Sequence, residues 1–460
     1  MLPPVLIRGA PAPGMSLLSR MRELHVPGVS IAFFENRHIA WAKAYGYADV
    51  ASKQPLTTDT LLQAASISKP LSAIAALRLV EKGRLDLDQD VNAVLRSWRI
   101  PPNAFTAVQK VTLRRLLSHT AGLTVQGFEG YARGDTLPTL PQILNGQKPA
   151  NSAPVIVNAT PGTKSMYSGG GYVIVQLLME EATGMPFAAL MRDNVLAPLR
   201  MKHSTFEQPL PPSSWKNAAT GYDVAGDPIE GKWKVYPEQS AAGLWTTPSD
   251  LALLAIELQK DYAGAFGGLL TPEMAHAMLT PVLDGYGLGF EATTAGAARF
   301  GHDGANAGFR AMLIAHIGGS QQGVAIMTNG NMGDKLASEI RSAVATAYGW
   351  PEYLPKILTL VSVDGKVLRT YVGHYVIDSN REFDVTTNGG ILYLFGPPFG
   401  RVPVAAKFSS TTDFFSLYPE FSGKFIKDAD GAVTSILFGG GSVAKRVAPK
   451  RSAKEPSGSK

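Results

Sequence analysis

A serine hydroxyl and a lysine amine three residues apart make a nucleophile and a base when both rise from one face of a helix. Residues 64–70, Ala64-Ala65-Ser66-Ile67-Ser68-Lys69-Pro70, offer that pair in Ser66 and Lys69. Lysine takes a proton only if its pKa is lowered, which burial and the positive end of a helix dipole both do. The run Leu71 to Val80 is apolar enough for a largely buried helix that stops at Gly83. Spacing alone decides nothing, because serine precedes lysine by three residues at Ser66, Ser213, Ser442 and Ser457. Ser213 lies among prolines, Ser442 follows three glycines and Ser457 is in the terminal tail, so only Ser66 leads a buried helix. Apart from that context, Ser66 reads as an ordinary helix-capping serine.

Other candidates are weaker taken singly. Tyr167, in Ser165-Met166-Tyr167-Ser168-Gly169-Gly170-Gly171, stands on a glycine-lined turn before the apolar run Tyr172 to Leu178, and by itself reads as a packing ring. His119, in Leu117-Ser118-His119-Thr120-Ala121-Gly122-Leu123, has no acidic residue nearby and reads as structural. The chain has no cysteine, which removes disulfides, thiol catalysis and thiolate metal sites. Its eight histidines show no metal-binding pairing, so no metal or other cofactor is expected.

The composition, 45% apolar and 17% charged over 460 residues, is that of a globular protein of two or three domains. The net charge of +6 resides mostly in residues 445–460, where six Lys or Arg face one Glu, so the folded part is nearly neutral and no nucleic-acid partner is expected. No window reaches the ~18 uninterrupted apolar residues of a membrane span. The N-terminus lacks a basic region followed by an apolar run, so no export signal is expected in the chain as given.

The elements that must position these residues follow from periodicity. A helix is expected over Ser16 to Leu24, then a hairpin of Val29 to Phe34 and His38 to Tyr45 around Glu35-Asn36-Arg37. A helical insert occupies roughly residues 70–240, interrupted by a loop from Gly130 to Pro154 that could border a cleft. Thr246 to Asp250 start a further helix. Arg299 to Asp303, Phe309 to Ile317 and Gly323 to Thr328 form an antiparallel meander, followed by a helix from Asp334 to Tyr348. Beyond Pro355 the strands are short: Lys366 to Val372, Glu382 to Thr386, Ile391 to Phe395, Phe414 to Leu417, Gly423 to Lys427 and Val433 to Leu437. The chain is therefore read as α+β, an antiparallel sheet flanked by helices over residues 1–355, with a small antiparallel barrel over 356–448 and a basic disordered tail over 449–460.

Taken together, Ser66-Ile67-Ser68-Lys69, Tyr167-Ser168-Gly169 and His302-Asp303-Gly304 stand in the order of the three motifs of the penicillin-recognising serine hydrolases. The chain resembles the branch that contains class C β-lactamases, D-alanyl-D-alanine carboxypeptidases, D-aminopeptidases and lactamase-like carboxylesterases. The resemblance covers residues 15 to 350 and includes Leu117 to Leu123, Pro198 to Met201, Ala242 to Leu251, Tyr286 to Phe290 and Gly323 to Asn329. The final domain is similar to the lipocalin-like barrels that some relatives append.

What the resemblance implies is acylation of Ser66, with Lys69 and Tyr167 sharing the proton and His302 assisting. The backbone N–H groups of Ser66 and Ala305 would form the oxyanion hole, and Gly169, Asp303 and Gly304 would line the substrate. Lys69 and Tyr167 remain alternative bases, a coupled pair that titrates as one unit. Substrates would be small esters, amides or peptides, and an oligomer is compatible. The sequence does not assign a compartment: the resemblance is compatible with the periplasm or the cell exterior, and otherwise with the cytoplasm. Two departures bear on selectivity. Gly169 replaces an amide side chain found in many relatives, and His302-Asp303 replaces a cation and a hydroxyl, so a substrate carboxylate would be repelled unless Asp303 points to the back of the strand. Weak or absent β-lactam turnover is expected. A catalytically silent, penicillin-sensor-like binding module is the alternative.

Overall fold

In a computed structural model of the chain, residues 5–10, 15–319, 321–378, 381–417 and 420–447 are described. Asn36 and Arg37 both have left-handed backbone, φ 50° and 66°, the geometry of a two-residue turn whose twist matches that of its strands. They join β1 (Gly28–Glu35) to β2 (His38–Asp49), and β3 (Gln54–Pro55) lies at the edge. The meander near the other end of this unit supplies β4 (Glu291–Thr293), β5 (Arg299–Asn306), β6 (Phe309–His316) and β7 (Gly323–Thr328). The strands make one sheet in the order β3-β2-β1-β7-β6-β5-β4, antiparallel throughout. Sheet closure thus depends on pairing β1 with β7, Val29 opposite Thr328, across the whole helical middle of the chain.

That middle contains α1 (Ser68–Glu81), α2 (Gly169–Thr183), the single-turn α3 (Gln239–Ala242) and α4 (Pro248–Tyr262), and α5 (Gly333–Tyr348) follows the sheet. In α1 and α2 the burial is nearly all-round, and both belong to the main hydrophobic core. Both helices α4 and α5 pack on β7, every residue of which is buried. The stretch Gly130 to Pro154, expected as loop, contains the helix Leu140–Asn145, started by a Thr139 capping box.

The first compact unit ends at Glu352, and the second comprises the following chain together with the N-terminal strand Val5–Ile7, which pairs in parallel with Lys356–Leu358. That strand therefore belongs with the second unit, although the sequence reading placed it in the first. The second unit is a closed barrel of eight antiparallel strands between Gly373 and Val447. The strand expected over Lys366 to Val372 is instead a helix, Gly365–Tyr371. Asp364 caps it, and Leu368 and Tyr371, three residues apart, enter the barrel core, a spacing that suits a helix and not a strand. Tyr371 stacks on Phe425 with centroids 4.0 Å apart, and Phe383, Phe408 and Phe414 fill more of the interior. The tail 449–460 lies outside the described residues.

One buried ion pair ties the first unit's N-terminal helix, Leu17–Glu23, to α5: Arg20 Nε and Nη2 both reach Glu339, at 2.9 and 2.7 Å. Arg20 also meets the half-exposed Glu23 at 2.8 Å, so removing Glu339 takes away its buried counterion and leaves the solvent-facing one. Glu339→Ala should therefore destabilise this unit by about 1–3 kcal/mol, measured as a fall in the denaturant midpoint.

Candidate active site

Ser66 lies in a single 3-10 turn, Ala65–Ile67, directly ahead of α1. Ala65 has φ 48°, a left-handed conformation that a residue with a side chain adopts at a cost, and it is fully buried. The turn is held from the side by residue 244: Ala64 N–H donates to the Leu244 carbonyl at 2.9 Å. The Ser68 hydroxyl accepts from Leu244 N–H at 3.0 Å and donates to the Ala65 carbonyl at 2.5 Å. Ser68, read only as part of a motif, thus fixes the nucleophile's turn.

Lys69 Nζ donates to Ser66 Oγ at 2.9 Å and to the Ala241 carbonyl of α3 at 2.9 Å. Burial disfavours its ammonium form and pulls its pKa down to about 7. Nζ also stands 4.9 Å from the ring centre of Tyr167. Burial pushes the Tyr167 phenol up to about 12; a hydrogen bond to Ser66 opposes that shift, and the Glu291 and Asp303 carboxylates add to it. At neutral pH the phenol keeps its proton.

The third motif lies on β5, where alternation sends successive side chains to opposite faces. His302, Gly304 and Asn306 are buried, whereas Asp303 and Ala305 are exposed. His302 Nδ1 donates to the Asp303 carbonyl at 2.6 Å, and burial, with the nearby Lys69, lowers its pKa to about 3. It is a neutral imidazole. Asp303 points away from it, and its charged neighbours are Glu291, Arg341 and Asp334. Gly304 explains why this position has no side chain, since a Cβ there would stand 2.1 Å from the Ala64 carbonyl oxygen. The close approach brings Ala305 alongside the Ser66 turn, and Asn306 Nδ2 ties the end of β5 to Gln63 and to the Ala242 carbonyl.

Gly169 N–H donates to the Gln126 carbonyl at 3.0 Å, and a Cβ at Gly169 would lie 2.9 Å from that oxygen and 3.0 Å from the Phe128 ring. The segment 126–128 therefore occupies the space that an amide side chain would need. His119, read from the sequence as structural, stands against the site: its ring is centred 4.2 Å from that of Tyr167, and Nδ1 accepts from Ser168 N–H at 3.0 Å. Sequence neighbours at 118 and 120 could not reveal a contact made 49 residues away. Tyr286 is a second residue that sequence reasoning left unassigned, edge-on to His119 at 4.8 Å and to His302 at 6.1 Å. Among the described residues no group of three or more metal-ligating side chains converges, and no single helix is long and apolar enough to cross a membrane.

Helices packed on an antiparallel sheet, with a serine and lysine at the head of the buried helix, define the β-lactamase class of serine hydrolases. The chain belongs to the Beta-lactamase family, whose model matches residues 16–348. Over nearly its full length it is similar to Penicillin-binding protein 4* of Bacillus subtilis (strain 168), with 24% identity over 464 residues, 95% of this chain and 98% of that protein. Among solved structures, the octameric penicillin-binding protein homologue from Pyrococcus abyssi shares the fold with a TM-score of 0.64 and 23% identity, over 93% of this chain and 98% of its own. EstCE1, a hydrolase with promiscuous acyltransferase activity, does so with a TM-score of 0.59 and 22% identity, over 71% of this chain and 96% of its own.

Gly304→Ala tests the close approach of β5 to the nucleophile's turn. The added methyl should push the strand off Ala64, and a displacement near ~1 Å at the reacting groups should lower kcat by roughly 10²-fold, with the secondary structure unchanged by circular dichroism.

Proposed function

We propose that the protein hydrolyses neutral carboxylic esters through an acyl-enzyme at Ser66, with small amides and peptides slower and β-lactams turned over weakly or not at all. The observation that carries this reading is the 2.9 Å contact between Ser66 Oγ and a buried Lys69 whose pKa falls to about 7. Neutral Lys69 takes the hydroxyl proton as Oγ bonds to the carbonyl carbon, and the oxyanion is met by the N–H groups of Ser66 and Ala305. The leaving alcohol takes a proton from the Tyr167 phenol, which Lys69 restores, and water then repeats the sequence on the ester of Ser66. A silent binding module would have no use for a lysine held in this state. The octameric relative supports, as a further proposal, that this chain also assembles into an oligomer.

Ser66→Ala should cost at least ~10³-fold in turnover of every substrate, and undiminished hydrolysis by this variant would refute the reading. The pH dependence follows from the sign of the Lys69 shift. Below about 7 the amine carries a proton and cannot serve as base, so kcat/KM should fall tenfold per pH unit there and level off above it. An acid limb near the ordinary carboxylate range would instead point to a different base.

Selectivity rests on charge. Where a relative has a fixed cation, His302 is neutral, and Glu291 and Asp303 both act on Tyr167. A substrate carboxylate close to the scissile bond meets no fixed cation, and the carboxylates of Glu291 and of Asp303, which points away from His302, add repulsion only through the field they also exert on Tyr167. Short-chain aryl esters should therefore be turned over much faster than a chromogenic cephalosporin, and Asp303→Thr should narrow that ratio of kcat/KM. Efficient cephalosporin hydrolysis by the unaltered protein would show that these carboxylates do not act on substrate.

A further inference from the structure

Behind Tyr167 three buried polar atoms have no hydrogen-bond partner among the described residues: His119 Nε2, His302 Nε2 and the Tyr286 hydroxyl. Such atoms are costly unless they are joined. Their residues are 2%, 5% and 7% exposed. They belong to one ring cluster, with centroids 4.8 Å apart for His119 and Tyr286, 6.1 Å for Tyr286 and His302, and 4.2 and 6.2 Å from Tyr167 to the two imidazoles.

The backbone fixes the proton on each imidazole. His119 Nδ1 accepts from the Ser168 N–H, so its proton is on Nε2, which donates. His302 Nδ1 faces a carbonyl oxygen, which can only accept, so the proton is on Nδ1 and Nε2 accepts. Burial beside Lys69 keeps both rings neutral. One unpartnered atom is thus a donor, one an acceptor, and the third a hydroxyl able to be both. That set is complementary, and the hydroxyl and a water molecule are the groups of the right chemistry to complete it.

We propose that one buried water molecule, accepting from His119 Nε2–H, donating to His302 Nε2 and hydrogen-bonded to the Tyr286 hydroxyl, joins the three groups, so that His119 and Tyr286 are positioning residues that hold Tyr167 against Lys69 and Ser66. The proposal rests on the ester-hydrolase reading above. It adds no charge to the site, and no proton changes owner in it. The two imidazoles act as a matched donor and acceptor.

The test uses the full chain. In 15N-histidine-labelled protein at pH 7, His119 should show the Nε2–H tautomer and His302 the Nδ1–H tautomer, assigned through variants of each. Tyr286→Phe, which keeps the ring, should shift the Nε2 signals of both and lower kcat about 10- to 100-fold with little change in KM. His119→Gln and His119→Asn separate the relay from simple support. A glutamine amide nitrogen stands near the Nε2 position and keeps the donor, whereas an asparagine oxygen stands near Nδ1 and keeps only the Ser168 contact. Higher kcat for Gln than for Asn supports the relay; Asn equal to or better than Gln overturns it, as do matching tautomers or a Tyr286→Phe variant with unchanged kcat and signals. Loss of activity in Ser66→Ala together with unaltered Tyr286→Phe would discard the relay alone, whereas an active Ser66→Ala would discard the hydrolase reading itself.

Discussion

The centre of this structure depends on keeping an amine out of water. Lys69 is 2% exposed, its two hydrogen bonds go to a hydroxyl and a carbonyl, and burial is the cause of its lowered pKa, with no carboxylate to restore the charge. A buried ammonium without a counterion sheds its proton, because the penalty of desolvation falls on the charged form alone. The surroundings are consistent with that constraint. His119 and His302 are held neutral, and Tyr167 and Tyr172 present rings to Nζ at 4.9 and 5.7 Å. A base is thus obtained at neutral pH from a side chain that in water would be fully protonated.

Keeping that amine dry while leaving the serine within reach needs a stiff frame. Ser66 is only half-buried, and the turn that carries it has an alanine in left-handed conformation on one side and a bracing serine on the other. Strand β5 presses on it so closely that glycine alone fits at 304. Local strain of this kind, of order 1–3 kcal/mol, persists where neighbours over-determine the backbone. Here Leu244 bonds the turn itself, while Ala241 and Ala242, from the same short segment around α3, hold the side chains of Lys69 and Asn306 beside it. The second unit has a core of its own, with stacked Tyr371 and Phe425 and with Leu368 and Tyr371 contributed by its short helix.

The sequence by itself determined a good deal. Short-range patterns exposed the hairpin at Asn36-Arg37, the buried helix after Ser66 and the β5 to β7 meander, because periodicity and turn residues act locally, whereas Tyr167 and His302 entered through the family resemblance of the three motifs. Even the choice of Ser66 among four serines with the same spacing followed from the apolar run behind it. Where local patterns competed, the reading failed: Lys366 to Val372 has enough β-branched and aromatic residues for a strand, but Asp364 caps a helix there and the barrel core accepts its Leu368 and Tyr371. Tertiary structure alone decided the rest. The N-terminal strand pairs with Lys356–Leu358, 351 positions away in register, and no local pattern records that partner. Likewise His119 reaches Tyr167, Gly169 is enclosed by Gln126 and Phe128, and Asp303 turns from His302 onto a face shared with Ala305. Residue types announce which groups can do chemistry. Whether an imidazole is neutral, which of its nitrogens holds the proton and what a carboxylate faces are set by burial and by partners distant in the chain, which exist only once the fold has formed.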